Sequence, residues 1–228
     1  MKNAPLEPDG RLRRQNVLPL QEFVTPQVYP QAIPQPERFR SVEQLVREAR
    51  PEIPVHCLRP TTIANAARRF IKLFPGDTLF AVKTNPDPLV IGYLARAGVS
   101  HFDVASLAEV KLVADLVPDA KLYFMHPVKG REAIHAAYFQ YGVRDYSLDS
   151  HEELAKIMEV TGNADDLNLY VRVTVPNDTA YLSLAGKFGA TPEEAPALLQ
   201  AVRAVANRMG VCFHVGSQCM EPEAYSVA

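Results

Sequence analysis

Cysteine is scarce: the 228 residues hold three, Cys57, Cys212 and Cys219, which cannot make a disulfide framework and show no C-x-x-C spacing. They read as buried, reduced thiols. The six histidines, at 56, 101, 126, 135, 151 and 214, form no H-E-x-x-H or i, i+4 pair, so no metal site is expected. No apolar run approaches the roughly 18 residues that a membrane span needs, and MKNAPLEPDGRLRRQ lacks the apolar stretch of a secretory signal. A cytoplasmic protein without a membrane partner is expected. Neither sign of charge dominates, with 24 Lys+Arg against 26 Asp+Glu, so no basic surface recommends nucleic acid as a partner. At 47% hydrophobic the chain is too apolar for wholesale disorder and can bury a substantial core.

Proline is abundant but unevenly placed. Pro5, Pro8, Pro19, Pro26, Pro30, Pro34 and Pro36 interrupt the first 36 residues, where no regular helix or central strand can run. Residues 1–40 therefore read as a proline-rich arm, and 41–228 as one folded domain. Ser41, with Gln44 three residues on, begins a short capped helix that Pro51 and Pro54 end.

From Val55 short apolar runs alternate with amphipathic stretches. VHCL, TLFAVK, HFDVA, KLYFM, VRDYSL, LNLYVRVTV and GVCFHVG read as strands; 61–74, 87–97, 106–116, 130–141, 150–161 and 191–208 have helical spacing. Asp149-Ser150 and Thr191-Pro192 punctuate helix starts, and Gly98, Gly142 and Gly210 read as left-handed helix ends. This alternation predicts βαβ units and a parallel sheet. Lys83, Asp103, Tyr123, Tyr146, Val171 and Phe213 recur at intervals of 20, 20, 23, 25 and 42 residues, which suits a (β/α) barrel or an open doubly wound sheet. There is no G-x-G-x-x-G after the first strand, and AGKFGA does not complete a P-loop.

Lys83 stands at the carboxyl end of the first strong strand, in FAVKTN. On a barrel that end is the active face, and a partly buried lysine there would lose basicity and gain nucleophilicity toward a carbonyl. By position alone it could equally be a snorkelling surface lysine. Later strands end in polar residues: Asp103 and Ser106 in FDVASLAEV, His126 in YFMHPVKG, Asp149 in YSLDS, Arg172 in LYVRV, and His214 to Ser217 in CFHVGSQ. Singly, Asp149 or Ser150 reads as a helix cap and His126 as a loop histidine.

Together FAVKTN, FDVASLAE, YSLDS, AGKFG and FHVGSQ, in that order over about three-quarters of the chain, resemble the PLP-dependent ornithine/diaminopimelate/arginine decarboxylases of the alanine racemase fold. The bacterial ornithine decarboxylases and their eukaryotic relatives are the nearest in pattern. The resemblance implies a PLP-binding TIM-type barrel, here with about six of its eight strands and without the family's β-domain. It implies that Lys83 holds the pyridoxal 5′-phosphate covalently and that the His214 imidazole lies against the cofactor ring. Gly216 and Ser217 match phosphate-binding positions, Arg172 an arginine beside the phenolic oxygen, and Asp103 and Glu109 carboxylates near the lysine. Lys187 and Gly189 match a segment toward the dimer interface. The implied reaction is decarboxylation of a small-molecule amino acid, with L-ornithine giving putrescine, by a homodimer of the full-length enzyme.

Ala228 lies eleven residues past Ser217, whereas the family continues through two more strands, so this polypeptide alone is expected to be inactive. A non-catalytic, subunit-pairing paralogue resembling an antizyme inhibitor is the alternative. A complete one-domain PLP-binding protein fits less well, since only 145 residues follow Lys83.

Overall fold

A computed structural model describes residues 36–176, 180–182 and 186–228, so most of the proline-rich arm lies outside the described residues. A parallel sheet of six strands forms the frame: β1 (Leu79–Ala81), β2 (His101–Val104), β3 (Lys121–Phe124), β4 (Asp145–Leu148), β5 (Asn168–Arg172) and β7 (Arg208–Cys212). The strands are neighbours in chain order, without the reversal that defines a doubly wound sheet, which decides for barrel topology. The sheet is not closed, and β1 and β7 are its edges. Helices α2 (Pro60–Leu73), α3 (Pro88–Arg96), α4 (Leu107–Leu116), α5 (Arg131–Phe139), α6 (His151–Val160) and α7 (Ala195–Val205) each touch the next, forming one outer layer. The short helix α1 (Val42–Ala49) starts at Ser41, whose Oγ accepts the Gln44 N–H at 3.2 Å.

The two faces of the sheet differ in kind. Phe102 and Val104, Leu122 and Phe124, Tyr146 and Leu148, and Leu169 and Val171 point outward and are buried. They meet Ile91, Val110, Val113, Ile134, Ile157, Leu198 and Val202, which recur at helical spacing on the surrounding helices. The alternate residues face inward and are mostly polar: His101 and Asp103, Lys121 and Tyr123, Asp145 and Ser147, Asn168, Tyr170 and Arg172. Parallel register sets Asp103 beside Tyr123, Tyr123 beside Asp145, and Asp145 beside Asn168. Buried Asp145 is satisfied there by the Tyr170 hydroxyl at 2.7 Å and Asn168 Nδ2 at 3.2 Å.

Helix starts follow the punctuation of the sequence. Asp87, Ser106 and Ser150 cap α3, α4 and α6 with side-chain oxygens. Gly98 and Gly142 have positive φ, as helix ends require.

Four expectations are corrected. VHCL makes no strand: bracketed by Pro54 and Pro60, it runs as irregular chain with only Leu58 packed on the core. Gly210 closes no helix but lies within β7, without positive φ, and the helix expected to reach 208 stops at Val205. Cys57 is exposed, and Cys212 and Cys219 are half-buried. A small antiparallel pair was not anticipated: β6 (Ala180–Leu182) and β8 (Ser217–Cys219) join the chain leaving β5 to the chain leaving β7. The terminal helix α8 (Ala224–Val227) follows.

Gly210 has a packing reason. A Cβ there would stand 2.8 Å from Tyr170 Cδ1, and the Tyr170 ring is held in place by its bond to Asp145. Gly210→Ala is expected to lower unfolding free energy by about 1–3 kcal/mol through overpacking, measured by urea denaturation of the full-length protein. An unchanged midpoint would show that Tyr170 moves aside freely.

Candidate active site

The polar inward residues come together at the carboxyl ends of the strands. β1 passes directly into a 3-10 turn, Val82–Thr84, closed by the Thr84 hydroxyl on the Ala81 carbonyl at 2.7 Å and the Asn85 N–H on the Val82 carbonyl at 3.1 Å. Val82 is fully buried and anchors the turn, while Lys83 is exposed. Of the two readings of Lys83, partly buried or at the surface, the structure shows the second, because the residue lies two positions past the end of β1 rather than in it.

Asp103, on β2 beside Ala81, has its carboxyl pushed up to about 6. Burial is the main cause; Lys83 and Arg172 pull the other way and Glu109 adds to the rise. Four residues named from sequence thus act on one another electrostatically. Glu109 is also a structural residue: its Oε2 accepts the Ala105 N–H at 2.9 Å while its own N–H reaches Ser106 Oγ at 3.3 Å, a reciprocal cap on α4. That cap holds a second carboxylate near Asp103.

His214, just beyond β7, is half-buried. Its Nδ1 accepts the Gly216 N–H at 3.0 Å, so the neutral ring carries its proton on Nε2. Burial, then Arg172 and Lys83, lower its pKa, so the imidazole is neutral at pH 7. The Gly216 amide expected to face an anion is committed to His214, and the positive φ of Gly216 makes that tight turn. Ser217 lies in β8, paired with Leu182.

Arg172, at the end of β5 and beside Cys212, has its guanidinium carbon 5.4 Å from the centre of the Phe188 ring. His126 presents its ring edge-on to the same phenyl at 5.3 Å. Phe188 is placed by Gly189, whose N–H donates to Asp149 Oδ2 at 2.9 Å. At φ +105° a Cβ on Gly189 would stand 2.6 Å from the Thr174 nitrogen, so only glycine fits. Ala190 then extends alongside β5, its N–H on the Arg172 carbonyl at 2.8 Å. Lys187, in the same segment, is exposed.

Of the two cap candidates, Asp149 and Ser150, Ser150 is the cap, and Asp149 holds the KFG segment. Sequence reasoning passed over Phe188 and the buried Lys129, and it did not place Cys212, whose thiol burial pushes up to about 11, beside Arg172. The lysine stood in MHPVKG without any spacing to mark it. Among the described residues no cluster of His, Cys, Asp and Glu is disposed to hold a metal, and no helix is long and apolar enough to cross a membrane.

An exposed primary amine, a guanidinium and a neutral imidazole with two nearby carboxylates suit a ligand that carries an electrophilic carbonyl and an anionic group. Because the folded state raises the Asp103 pKa from 3.8 to about 6, the native protein binds more protons than the unfolded chain between these values, and stability falls as pH rises through them. Asp103→Asn should therefore be the more stable protein at pH 7–8, by on the order of 1–3 kcal/mol, and match the wild type near pH 4. Urea melts at both pH values check this, and equal stability at pH 8 would contradict it.

The family described as pyridoxal-dependent decarboxylase, pyridoxal binding domain, matches residues 61–228. The lysine/ornithine decarboxylase of Selenomonas ruminantium is 40% identical over 151 residues, covering 65% of this chain and 37% of that protein. The structure of a lysine/ornithine decarboxylase from Vibrio vulnificus, complexed with putrescine, superposes with a TM-score of 0.66 at 31% identity, over 81% of this chain and 49% of that one. A mutant of SrLDC in complex with PLP superposes with a TM-score of 0.69 at 34% identity, over 82% of this chain and 49% of that one. The chain thus spans between about a third and a half of the length of the relatives it matches. With its open barrel sheet and the lysine at the end of β1, the chain belongs to the pyridoxal-dependent decarboxylases, as their pyridoxal-binding domain.

Proposed function

We propose that the whole protein decarboxylates a basic amino acid, L-ornithine to putrescine and carbon dioxide, as a homodimer. The observation that carries this reading is the grouping of Lys83, Asp103, Arg172 and His214 at one rim of the sheet, where Lys83 and Arg172 lower the pKa of Asp103 against the effect of burial and that of His214 along with it. Ornithine is favoured over other basic amino acids by the MHPVKGREAI segment and by the ornithine decarboxylase of Panagrellus redivivus, 40% identical over the matched residues; the equally similar protein of Selenomonas ruminantium is a lysine/ornithine decarboxylase.

The residues present fit pyridoxal phosphate by their chemistry. Lys83 Nζ is accessible to an aldehyde, and the fixed positive charge of Arg172 suits an anionic oxygen. When bound, the cofactor supplies the electron sink for the pair left behind by carbon dioxide. The protein's share is placement and charge. Neutral His214 offers a flat ring face without adding positive charge, and its bond from Gly216 holds the ring's orientation. Asp103, ionised above about pH 6, sets a negative charge facing Lys83, with the Glu109 carboxyl beside it. Phe188 backs Arg172 and excludes water from one side of it.

We further propose that the 228-residue polypeptide alone turns over little or no substrate. Its six-stranded sheet leaves the β1 and β7 edges unpaired and the rim beside β7 open, so the site is neither enclosed nor dry.

Two measurements test the reading. Borohydride treatment of the full-length protein with pyridoxal phosphate, followed by peptide mapping, is expected to label Lys83; label spread over exposed lysines would overturn the assignment. Carbon dioxide release from ornithine, lysine and arginine is expected to give the highest kcat/KM for ornithine. A higher value for another of the three would overturn the substrate and leave the reaction class standing.

A further inference from the structure

Lys129 and Glu153 form a buried ion pair away from the groups assigned to the reaction. The Lys129 side chain is 0% exposed and that of Glu153 is 4% exposed, with Nζ and Oε1 3.0 Å apart. Nζ also donates to the carbonyls of His126 at 2.9 Å, Pro127 at 3.4 Å and Ser147 at 2.5 Å, and the Lys129 N–H reaches Glu153 Oε1 at 3.2 Å. Lys156 approaches the other Glu153 oxygen at 2.5 Å. Removing an ammonium from water is costly, and burial pushes Lys129 down to about 8, with Glu153 opposing. An apolar side chain of equal volume would fill the space without that cost. The charge therefore has to be explained by what it holds.

It holds three catalytic-face segments together: the loop after β3, the end of β4 and the first turn of α6. Both supports of Phe188 arise there. His126, whose carbonyl Lys129 grips, packs edge-on against the phenyl ring; Asp149, two residues past Ser147, holds the Gly189 N–H. Phe188 in turn lies against Arg172.

We infer that Lys129, locked by Glu153, is a positioning residue of the decarboxylase site: it sets the His126 loop and the end of β4, and through Phe188 the place of Arg172. The inference rests on the proposed function only in taking Arg172 as part of the cofactor site. A displacement of about 1 Å at such a residue is enough to cost about 10²-fold in rate.

The test uses full-length protein carrying Lys129→Met, Phe188→Leu, or both, with Lys129→Met/Glu153→Gln as the variant that leaves no lone buried charge should Lys129→Met fail to fold. Without cofactor, the Gly189 amide in Lys129→Met should exchange its hydrogen at least about tenfold faster than in the wild type, while core amides of β2 and β3 keep their protection. With pyridoxal phosphate, its dissociation constant should rise about tenfold or more and kcat should fall, with substrate KM nearly unchanged. Adding Phe188→Leu should cause little further loss, since both changes act through one ring. Wild-type protection at Gly189 together with wild-type cofactor affinity in Lys129→Met or in the neutral double variant would overturn the inference. Fully additive losses with Phe188→Leu would overturn the route through Phe188. If wild-type protein takes up no cofactor at Lys83, the proposed function fails, and the exchange rate still decides whether the clamp exists.

Discussion

Every strand of the parallel sheet must bury one face against helices, and this constraint places the site. With Phe102, Phe124, Tyr146 and Leu169 committed to the helical side, strand alternation leaves Asp103, Tyr123, Ser147, Tyr170 and Arg172 on the other. Parallel register then brings the ends of all strands to one rim, where Lys83 follows β1 and His214 follows β7. A one-residue slip in any strand would send a carboxylate or a guanidinium into the apolar layer at a cost of several kcal/mol. The chemistry at the rim is thus held by the same burial that folds the domain.

Within that frame, polar side chains are fixed by local bonds. Glu109 caps its own helix and stays beside Asp103; Gly216 sets the tautomer of His214; Asp149 seats Gly189 and with it Phe188. Lys83 and Arg172 keep Asp103 from rising further, and burial, aided by the same two cations, keeps the His214 pKa low. A site with its dipoles already arranged pays little reorganisation cost when a charged ligand arrives.

Much of this was legible in the order of residues. Serine and aspartate caps, the intervals between strands and the polar residues at strand ends are local signals that gave the alternating frame; Lys83, Asp103, Glu109, Arg172 and His214 were singled out by the resemblance to the decarboxylases, since each taken alone has a plainer reading. What escaped was set by partners distant in sequence. Gly210 looks like a helix end because a glycine between helix and strand serves either purpose; only the Tyr170 ring, forty residues earlier, explains it. VHCL has a strand's composition but prolines on both sides. Burial of Lys83 was left open because a two-residue difference in where a strand ends is not readable from hydropathy. Lys129 was invisible, since its burial depends on Glu153 and on the Ser147 carbonyl of another strand.

The central claim is that the rim formed by Lys83, Asp103, Arg172 and His214 is one cofactor site. A crystal structure of the full-length protein grown with pyridoxal phosphate tests it most directly. The account predicts electron density joined to Lys83 Nζ and bounded by Asp103, Arg172 and His214; density joined to another lysine, or a cofactor bound away from that rim, would contradict it.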